Sequence, residues 1–310
     1  MGEVAGATPE QSKFLAELTD ARLLLPSGVP GVYGRGARFG AVVAAIEDLI
    51  TRRSVDDGVT IERVAFPPVM PRRELEEIGY LASFPHLAGT IFSFSGDEAD
   101  AAWRVEHKDW GAFQEQTELV MVPAACYPSY PVIAARGPLG PDGVSLDLGG
   151  SYVFRNEPSG DPARMQTFHQ RELVRFGTPD RVSDWRELWC RRGLEILGGL
   201  GLAAHSDIAS DPFFGRTGKI LARSQRSQAL KFEILVPIAG EEPTAVASFN
   251  CHREHFATLY GLTCADGSPA HTACVGFGLE RIALALFKQH GCDADGWPSE
   301  VRAQLWDTAS

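Results

Sequence analysis

Arg155 and Arg281 stand in settings that would let each hold a phosphate. The first lies in Phe154-Arg155-Asn156-Glu157. The second lies in Gly276-Phe277-Gly278-Leu279-Glu280-Arg281-Ile282-Ala283-Leu284-Ala285-Leu286, a glycine-rich approach to a strongly apolar helix. A guanidinium is planar and always charged, so two of them can clamp a polyphosphate from two directions. Taken singly, each segment also has a plainer meaning: Gly-x-Gly before a helix is often close packing, and Glu-Arg on an apolar helix is often a solvated rim. Lys231 and Glu233 alternate with Phe232 and Ile234, which puts both charges on one face of a strand. That pair either serves a site on an open sheet face or forms a solvated ion pair on a half-exposed edge strand. The six cysteines (126, 190, 251, 264, 274 and 292) are scattered without a CxxC pair. A lone cysteine is most often a small buried hydrophobe, and a long enzyme-like chain argues for reduced thiols, some available as metal ligands. His252 and His255 have i, i+3 spacing but no fitting third ligand nearby, and are expected to be structural.

The elements that would position these residues can be read from periodicity. Residues 8–25 predict a short helix through Phe14, Leu15, Leu18 and Leu23, followed by a glycine-rich connector from Gly28 to Gly40. Within it, Gly34-Arg35-Gly36 lacks the spacing and the preceding strand of a dinucleotide fingerprint, and reads as loop. Val42, Val43, Ile46, Leu49 and Ile50 mark an amphipathic helix over Phe39–Arg52, and a strand from Ile61 to Phe66 stops at Pro67-Pro68. Further strands are expected at Glu118–Val122, Val144–Leu148, Tyr152–Arg155, Thr167–Leu173, Ala229–Ile238 and Thr244–Asn250. Helices are expected at Val182–Leu197 and from Gly278 to His290. Short strands without βα alternation point to an α+β fold, a mainly antiparallel sheet flanked by helices.

Bulk properties bound the function. With 310 residues, 44% hydrophobic and 22% charged, the chain suits a globular enzyme of one large domain or a domain with an appendage. No apolar run is long enough to span a bilayer, so no membrane association is expected. The opening residues lack a basic stretch, an apolar run and a small-residue cleavage site, so no secretory signal is expected and the cytoplasm is the expected location. A formal charge of −11 fits a small molecule or another protein better than a nucleic-acid backbone, which is normally gripped by a basic face.

In this order, the segments resemble the three motifs of class II aminoacyl-tRNA synthetases. The helix 39–52, the strand 61–66 and its terminal proline are similar to motif 1, the family's dimer interface, and imply a homodimer. An ordinary strand ended by proline would look the same. Phe154-Arg155-Asn156-Glu157, the loop Pro158–Met165 and the strand Gln166–Leu173 resemble motif 2, and Gly276–Leu286 resembles motif 3. The resemblance implies that Arg155 contacts the α-phosphate of ATP and the substrate carboxylate. It implies that Glu157 accepts from the adenine amino group or supports ATP, and that Arg164 and Met165 lie against the nucleotide. Arg281 would hold the γ-phosphate of a bent ATP, and Lys231 would meet ATP on the open sheet face. Magnesium is expected with ATP, because two arginines and one lysine leave much triphosphate charge uncompensated.

Pro68-Val69-Met70, Leu75 and Gly79 most resemble the seryl branch. In seryl enzymes a Thr-x-Glu loop reads the substrate amino group; Val122–Pro128 falls where that loop should be, with Cys126 replacing its glutamate. Glu172 on the second motif 2 strand and Cys274 just before motif 3 complete a set that resembles the zinc site of atypical, methanogen-type seryl enzymes. Two thiolates and a carboxylate leave a fourth zinc position open, where an α-amino group can be read, so one zinc per subunit is implied. Thr244–Asn250, with Ala245 and Ser248, loosely matches the seryl substrate stretch, while the glutamate that precedes that stretch in seryl enzymes has no clear counterpart and leaves one magnesium ligand unassigned.

Seryl enzymes carry an extended N-terminal tRNA-binding domain, whereas here only residues 1–38, a helix and connector, precede a catalytic domain at 39–310. That combination resembles the amino acid:[carrier protein] ligases. The resemblance implies ATP-dependent activation of a small amino acid, glycine before alanine, to an aminoacyl-adenylate. Transfer to the phosphopantetheine thiol of a carrier protein would follow, with no tRNA. Residues 213–232 carry Arg216, Lys219, Arg223, Arg226 and Lys231 without an acid, and are expected to form a carrier-docking insertion, helical from Lys219 to Leu230, or else an ordinary solvated helix. The rival expectations are a minimal aminoacyl-tRNA synthetase, a non-catalytic paralogue acting as a regulator, and a zinc-stabilised dimeric binding protein.

Overall fold

A computed structural model describes residues 6–54, 60–240 and 242–307, excluding the side chains of 216 and 217. In chain order the elements are α1 (Pro9–Asp20), β1 (Leu24–Pro26), β2 (Tyr33–Arg35), α2 (Ala37–Ser54), β3 (Ile61–Arg63), β4 (Val69–Pro71), α3 (Arg72–Glu77) and α4 (Tyr80–Ser83). They continue with β5 (Thr90–Phe94), α5 (Glu98–His107), β6 (Gln114–Met121), α6 (Ser129–Ala134), β7 (Val144–Phe154), β8 (Thr167–Gly177), α7 (Pro179–Gly199) and β9 (His205–Ile208). The chain then forms α8 (Gly215–Ser227), β10 (Lys231–Val236), β11 (Thr244–Arg253), α9 (His255–Tyr260), β12 (His271–Gly278), α10 (Leu279–His290) and α11 (Ser299–Trp306). None of the described helices is long and apolar enough to cross a membrane.

The main sheet has seven strands in the order β3-β7-β8-β12-β11-β10-β9. All its pairings are antiparallel except β3 with β7. This is the expected α+β arrangement. One face is covered by α7, α10 and α2. There the odd-numbered residues of β11 and β12 enter the core: Phe249 and Phe277 meet edge-on at 6.1 Å, and Trp189 of α7 packs against Phe277 at 6.2 Å. Strand alternation turns the even-numbered neighbours to the opposite, open face.

The same alternation on β8 separates two kinds of polar residue. Gln170 and Glu172 point to the open face, while Arg171 is fully buried beneath the sheet. Its guanidinium donates to Asp147 at 2.6 Å, Glu47 at 3.1 Å and Thr51 at 3.0 Å, tying β7 and β8 to α2. A buried cation needs such partners to offset its lost hydration. Gly143 turns the chain into β7 at φ +68°, and a Cβ there would come within 2.1 Å of the Phe176 carbonyl oxygen. Gly143→Ala is therefore expected to lower stability by about 1–3 kcal/mol, read as a shift of the urea midpoint at constant slope.

Several boundaries differ from the sequence reading, for local reasons. The N-terminal helix stops at Asp20, and its chain continues into a β1–β2 hairpin, so Arg35 lies in a strand rather than a loop. The strand expected at 61–66 is hydrogen-bonded as β3 only to Arg63, although the Val64 amide still donates to Asp147. The two strands expected at 144–148 and 152–155 are one strand, interrupted by a register shift between Asp147 and Gly150. The strands β4, β5, β9 and the longer β12, which carries Cys274, were not anticipated; β4, β6 and β5 form a separate three-stranded sheet. Strands of three to five residues are too short to display a period. The N-terminal segment 1–38 contributes Phe14, Leu18, Leu23 and Leu24 to the same core as the remainder.

Candidate active site

The open face of the main sheet carries a cavity of about 460 Å³. Its floor comes from β8, β11 and β12, its walls from α4, the turn before α6, the loop before α8, α8 itself through Leu221, Ser224 and Gln225, and α9. Cys126, Arg155, Glu172, Lys231, Ser248 and Cys274 all line it. Residues separated by up to 148 positions are thus brought to one place by sheet register: Glu172 of β8 pairs with Gly276, and Cys274 of β12 pairs with Val174 and Asn250.

Cys126, Glu172 and Cys274 each offer a ligand atom, and these atoms lie within 4.8 Å of one another. The Cys126 amide donates to Glu172 Oε2 at 2.7 Å, which fixes the carboxylate, while Ser129 closes the turn onto the Cys126 carbonyl. Burial raises the proton affinity of Cys126 and of Glu172, and the hydrogen bond from Cys126 together with burial raises that of Cys274 well above the usual thiol range. Three buried acids held this close exchange their protons readily for a divalent cation. Two sulfurs and one oxygen suit a borderline-soft ion. The residues fit a metal.

Arg155 follows directly from β7. The amide of Phe154 donates to the Val122 carbonyl and that of Arg155 to the Gln166 carbonyl, so the arginine is fixed against both the segment leading to Cys126 and the β8 entry. Its Nε is buried without a hydrogen-bond partner among the described residues, and the side chain lines the cavity. A buried, unsatisfied charged donor is costly, and an arginine lining a cavity fits an anionic ligand. Arg281 lies nearby in a second group. Its Nε donates to the Ala163 carbonyl at 2.9 Å and one terminal nitrogen to the Ala245 carbonyl at 2.9 Å, with Phe168 beneath the guanidinium at 5.6 Å. Burial, and then the charge of Arg155, push Arg281 down to about 10. Two mutually repelling guanidinium groups in one site favour an anion between them.

The remaining predicted residues divide. Glu157 is paired with Arg164 at 2.7 Å at a half-exposed rim, beside the buried Met165. Lys231 is neither on an edge strand nor solvated. It is buried between Asp211 at 2.5 Å and Glu233 at 3.0 Å. Burial works against both charges of the first pair, but each partner outweighs it: Lys231 holds the Asp211 carboxyl below its usual range, and Asp211 raises Lys231. Asp211 is in turn gripped by Gln225 of α8, which accepts from its amide at 2.7 Å and donates to its carboxylate at 2.8 Å. Ser248 faces the cavity, whereas Ala245 does not line it, and Ala247 alternates into the core. Odd-numbered Ala245 and Ala247 alternate away from Ser248 and Asn250, and the pairing register skips Val246 between them.

Some site residues went unread. Asp211 carries no motif, and only its partner Lys231 hinted at a carboxylate. His252 and His255, expected to be structural, both line the cavity, and His252 Nε2 lies 3.5 Å from Cys274 Sγ. His252 sits at a register shift between Cys251 and Arg253, which no sequence period marks. Arg35 donates to His169 at 2.8 Å, Glu280 at 3.2 Å and Tyr152 at 2.9 Å, bracing the residue before Arg281.

No family model matches the chain. Its fold is that of a class II aminoacyl-tRNA synthetase catalytic core. The crystal structure of M. kandleri seryl-tRNA synthetase in complex with A. aeolicus tRNASec superposes with a TM-score of 0.79 at 18% identity, over 99% of this chain and 62% of that one. In sequence, the chain is 46% identical to amino acid–[acyl-carrier-protein] ligase 1 of Bradyrhizobium diazoefficiens over 299 residues, 95% of this chain and 90% of the relative. It is 45% identical to ligase 2 of the same organism over 306 residues, 97% and 90% of the two chains. The chain belongs to the amino acid–[acyl-carrier-protein] ligase family and is a ligase enzyme.

Proposed function

We propose that the protein activates a small amino acid, glycine in the first place and alanine next, with ATP, and then esterifies it to the phosphopantetheine thiol of a carrier protein. The single observation that carries this reading is the meeting of Cys126, Glu172 and Cys274 within 4.8 Å, in the cavity that Arg155 also lines. Those three residues would hold one zinc ion per subunit, which when bound supplies an open position for an α-amino group. Arg155 would then orient the carboxylate for attack on the α-phosphorus; a new C–O–P linkage forms as pyrophosphate leaves. Negative charge builds on the equatorial oxygens in that step, and a fixed guanidinium stabilises it there more than in the ground state.

Arg281 would hold the γ-phosphate, Glu157, Arg164 and Met165 the adenosine side, and magnesium the remaining triphosphate charge. Lys231, already balanced by Asp211 and Glu233, would act through the shape and potential of the cavity wall more than as a free cation. Ser248 would flank the substrate, with Ala245 contributing through its backbone. In the second step the carrier's thiol sulfur attacks the mixed-anhydride carbonyl, AMP departs with the bonding pair, and the thiol proton is released to solvent. The 39–310 unit would carry both steps, as a homodimer joined through the α2 and β3 region.

The acceptor side is supported by α8, the helix of the expected insertion at 213–232, observed at Gly215–Ser227. It exposes Phe214 at 59%, Ile220 at 67% and Leu221 at 44%, beside the exposed Lys219, Arg223 and Arg226. The Arg216 side chain lies outside the described residues. An apolar strip with a basic rim suits an acidic protein with a phosphate-bearing arm. Arg223→Glu combined with Arg226→Glu should lower kcat/KM for the carrier by about 10- to 100-fold while pyrophosphate exchange is unchanged. Equal carrier acylation by this variant would remove α8 from the acceptor site.

The whole reading is tested by giving purified protein, ATP and radiolabelled glycine to a lysate of the source organism. Label on a small protein, released by thiols and resistant to ribonuclease, is the expected result. Ribonuclease-sensitive label would mean a minimal tRNA synthetase, and no label with glycine, alanine or serine would favour a regulator.

A further inference from the structure

The hydrogens around the metal-ligand cluster can be accounted for one by one. Cys274 Sγ has two nitrogen neighbours, Asn250 Nδ2 at 3.5 Å and His252 Nε2 at 3.5 Å. On the other side of the His252 ring, Nδ1 faces the hydroxyls of Thr272 at 3.1 Å and Tyr130 at 3.4 Å. Each of these hydroxyls can donate its hydrogen to Nδ1, and that of Thr272 is fully buried beside it. The proton of a neutral imidazole then sits on Nε2 and points at Cys274. The opposite tautomer would aim the Nε2 lone pair at a sulfur that is anionic whenever it ligates a metal, which is repulsive.

We propose that His252 is a positioning residue of the metal site: held in one tautomer by Thr272, it donates Nε2–H to the Cys274 thiolate and, with Asn250, sets that sulfur's orientation and donor strength. The inference rests on the metal reading of Cys126, Glu172 and Cys274. Outer hydrogen bonds of this type orient a ligand and tune its charge donation, and their loss typically weakens metal binding by about 10- to 100-fold. Glutamine places its amide nitrogen near the position of a histidine Nε2, whereas asparagine reaches only the position of Nδ1. The two amides therefore separate a donor to sulfur from a merely polar residue.

Zinc affinity is measured by competition with a chromophoric chelator for the wild type and for His252→Leu, His252→Asn and His252→Gln. The thiolate-to-cobalt charge-transfer band is recorded on the cobalt(II)-substituted forms. The expected result is a dissociation constant about 10- to 100-fold higher for the leucine and asparagine variants, with recovery in the glutamine variant. The charge-transfer band should move to lower energy wherever the donor to sulfur is lost. If the leucine variant does not fold, the asparagine–glutamine contrast still decides. Equal affinities and an unmoved band across folded variants would overturn the role of His252 alone. A wild type that takes up neither zinc nor cobalt would instead overturn the metal reading, and this inference with it.

Discussion

If the proposed metal site is right, Cys274→Ser is expected to abolish metal binding and lower amino-acid-dependent pyrophosphate exchange by more than about 100-fold in kcat/KM. Serine keeps the size of the side chain but is a poor ligand, and Cys126 with Glu172 would be left as a two-donor set. Far-UV circular dichroism should be unchanged, because the packing that holds β12 comes from Val275 and Phe277 on the other face, both fully buried. A chelator should reproduce the loss in the wild type, and zinc should reverse it. Metal content by atomic absorption is the direct check. Unfolding of the metal-free protein would indicate a structural ion. Full activity in Cys274→Ser would remove metal from the amino-acid site altogether.

Arg155→Ala is the second large effect, an expected fall of about 100- to 1,000-fold in kcat for amino-acid activation. Its buried Nε has no partner among the described residues, and its charge acts on Glu172, Asp211 and Arg281. Arg155→Lys should recover little, since an ammonium cannot present two parallel donors to a phosphate and a carboxylate. Steady-state exchange with ATP and amino acid varied in turn separates kcat from KM. A change confined to KM would assign Arg155 to uniform substrate binding rather than to the developing charge.

Much of this candidate site is legible in the sequence. The motif arginines, and the order in which Cys126, Glu172 and Cys274 occur, carried the class of fold and the donor set. Strand alternation also correctly put Lys231 and Glu233 on one face. What periodicity could not supply was partnership across distance. Asp211 sits in a loop, two residues before Phe213, and nothing local marks it as the counter-ion of Lys231 or the partner of Gln225. Arg35 looked like part of a glycine loop because a three-residue strand has no detectable period. His252 was set aside for want of neighbouring ligands in sequence, and its neighbour proved to be Cys274 on the adjoining strand. In each case the missing information was which strand lies next to which.

The helix α8 contributes no side chain to the hydrophobic core among its described residues, and apart from Gly218 it is exposed or half-exposed. Its polar attachment to the cavity wall is concentrated in Gln225, with Arg226 reaching Ser210 at 3.3 Å. Leu221, Ser224 and Gln225 of α8 line the cavity, so under the proposed docking role it is the outward residues of the helix that separate acceptor choice from amino-acid choice. The floor of the cavity cannot drift without disturbing a sheet, but the outward face of α8 can change at little cost to folding. Such a layout lets one activation chemistry be redirected among carriers by surface substitutions alone, so natural variation and designed retargeting should both concentrate at the outward residues Lys219, Ile220, Arg223 and Arg226.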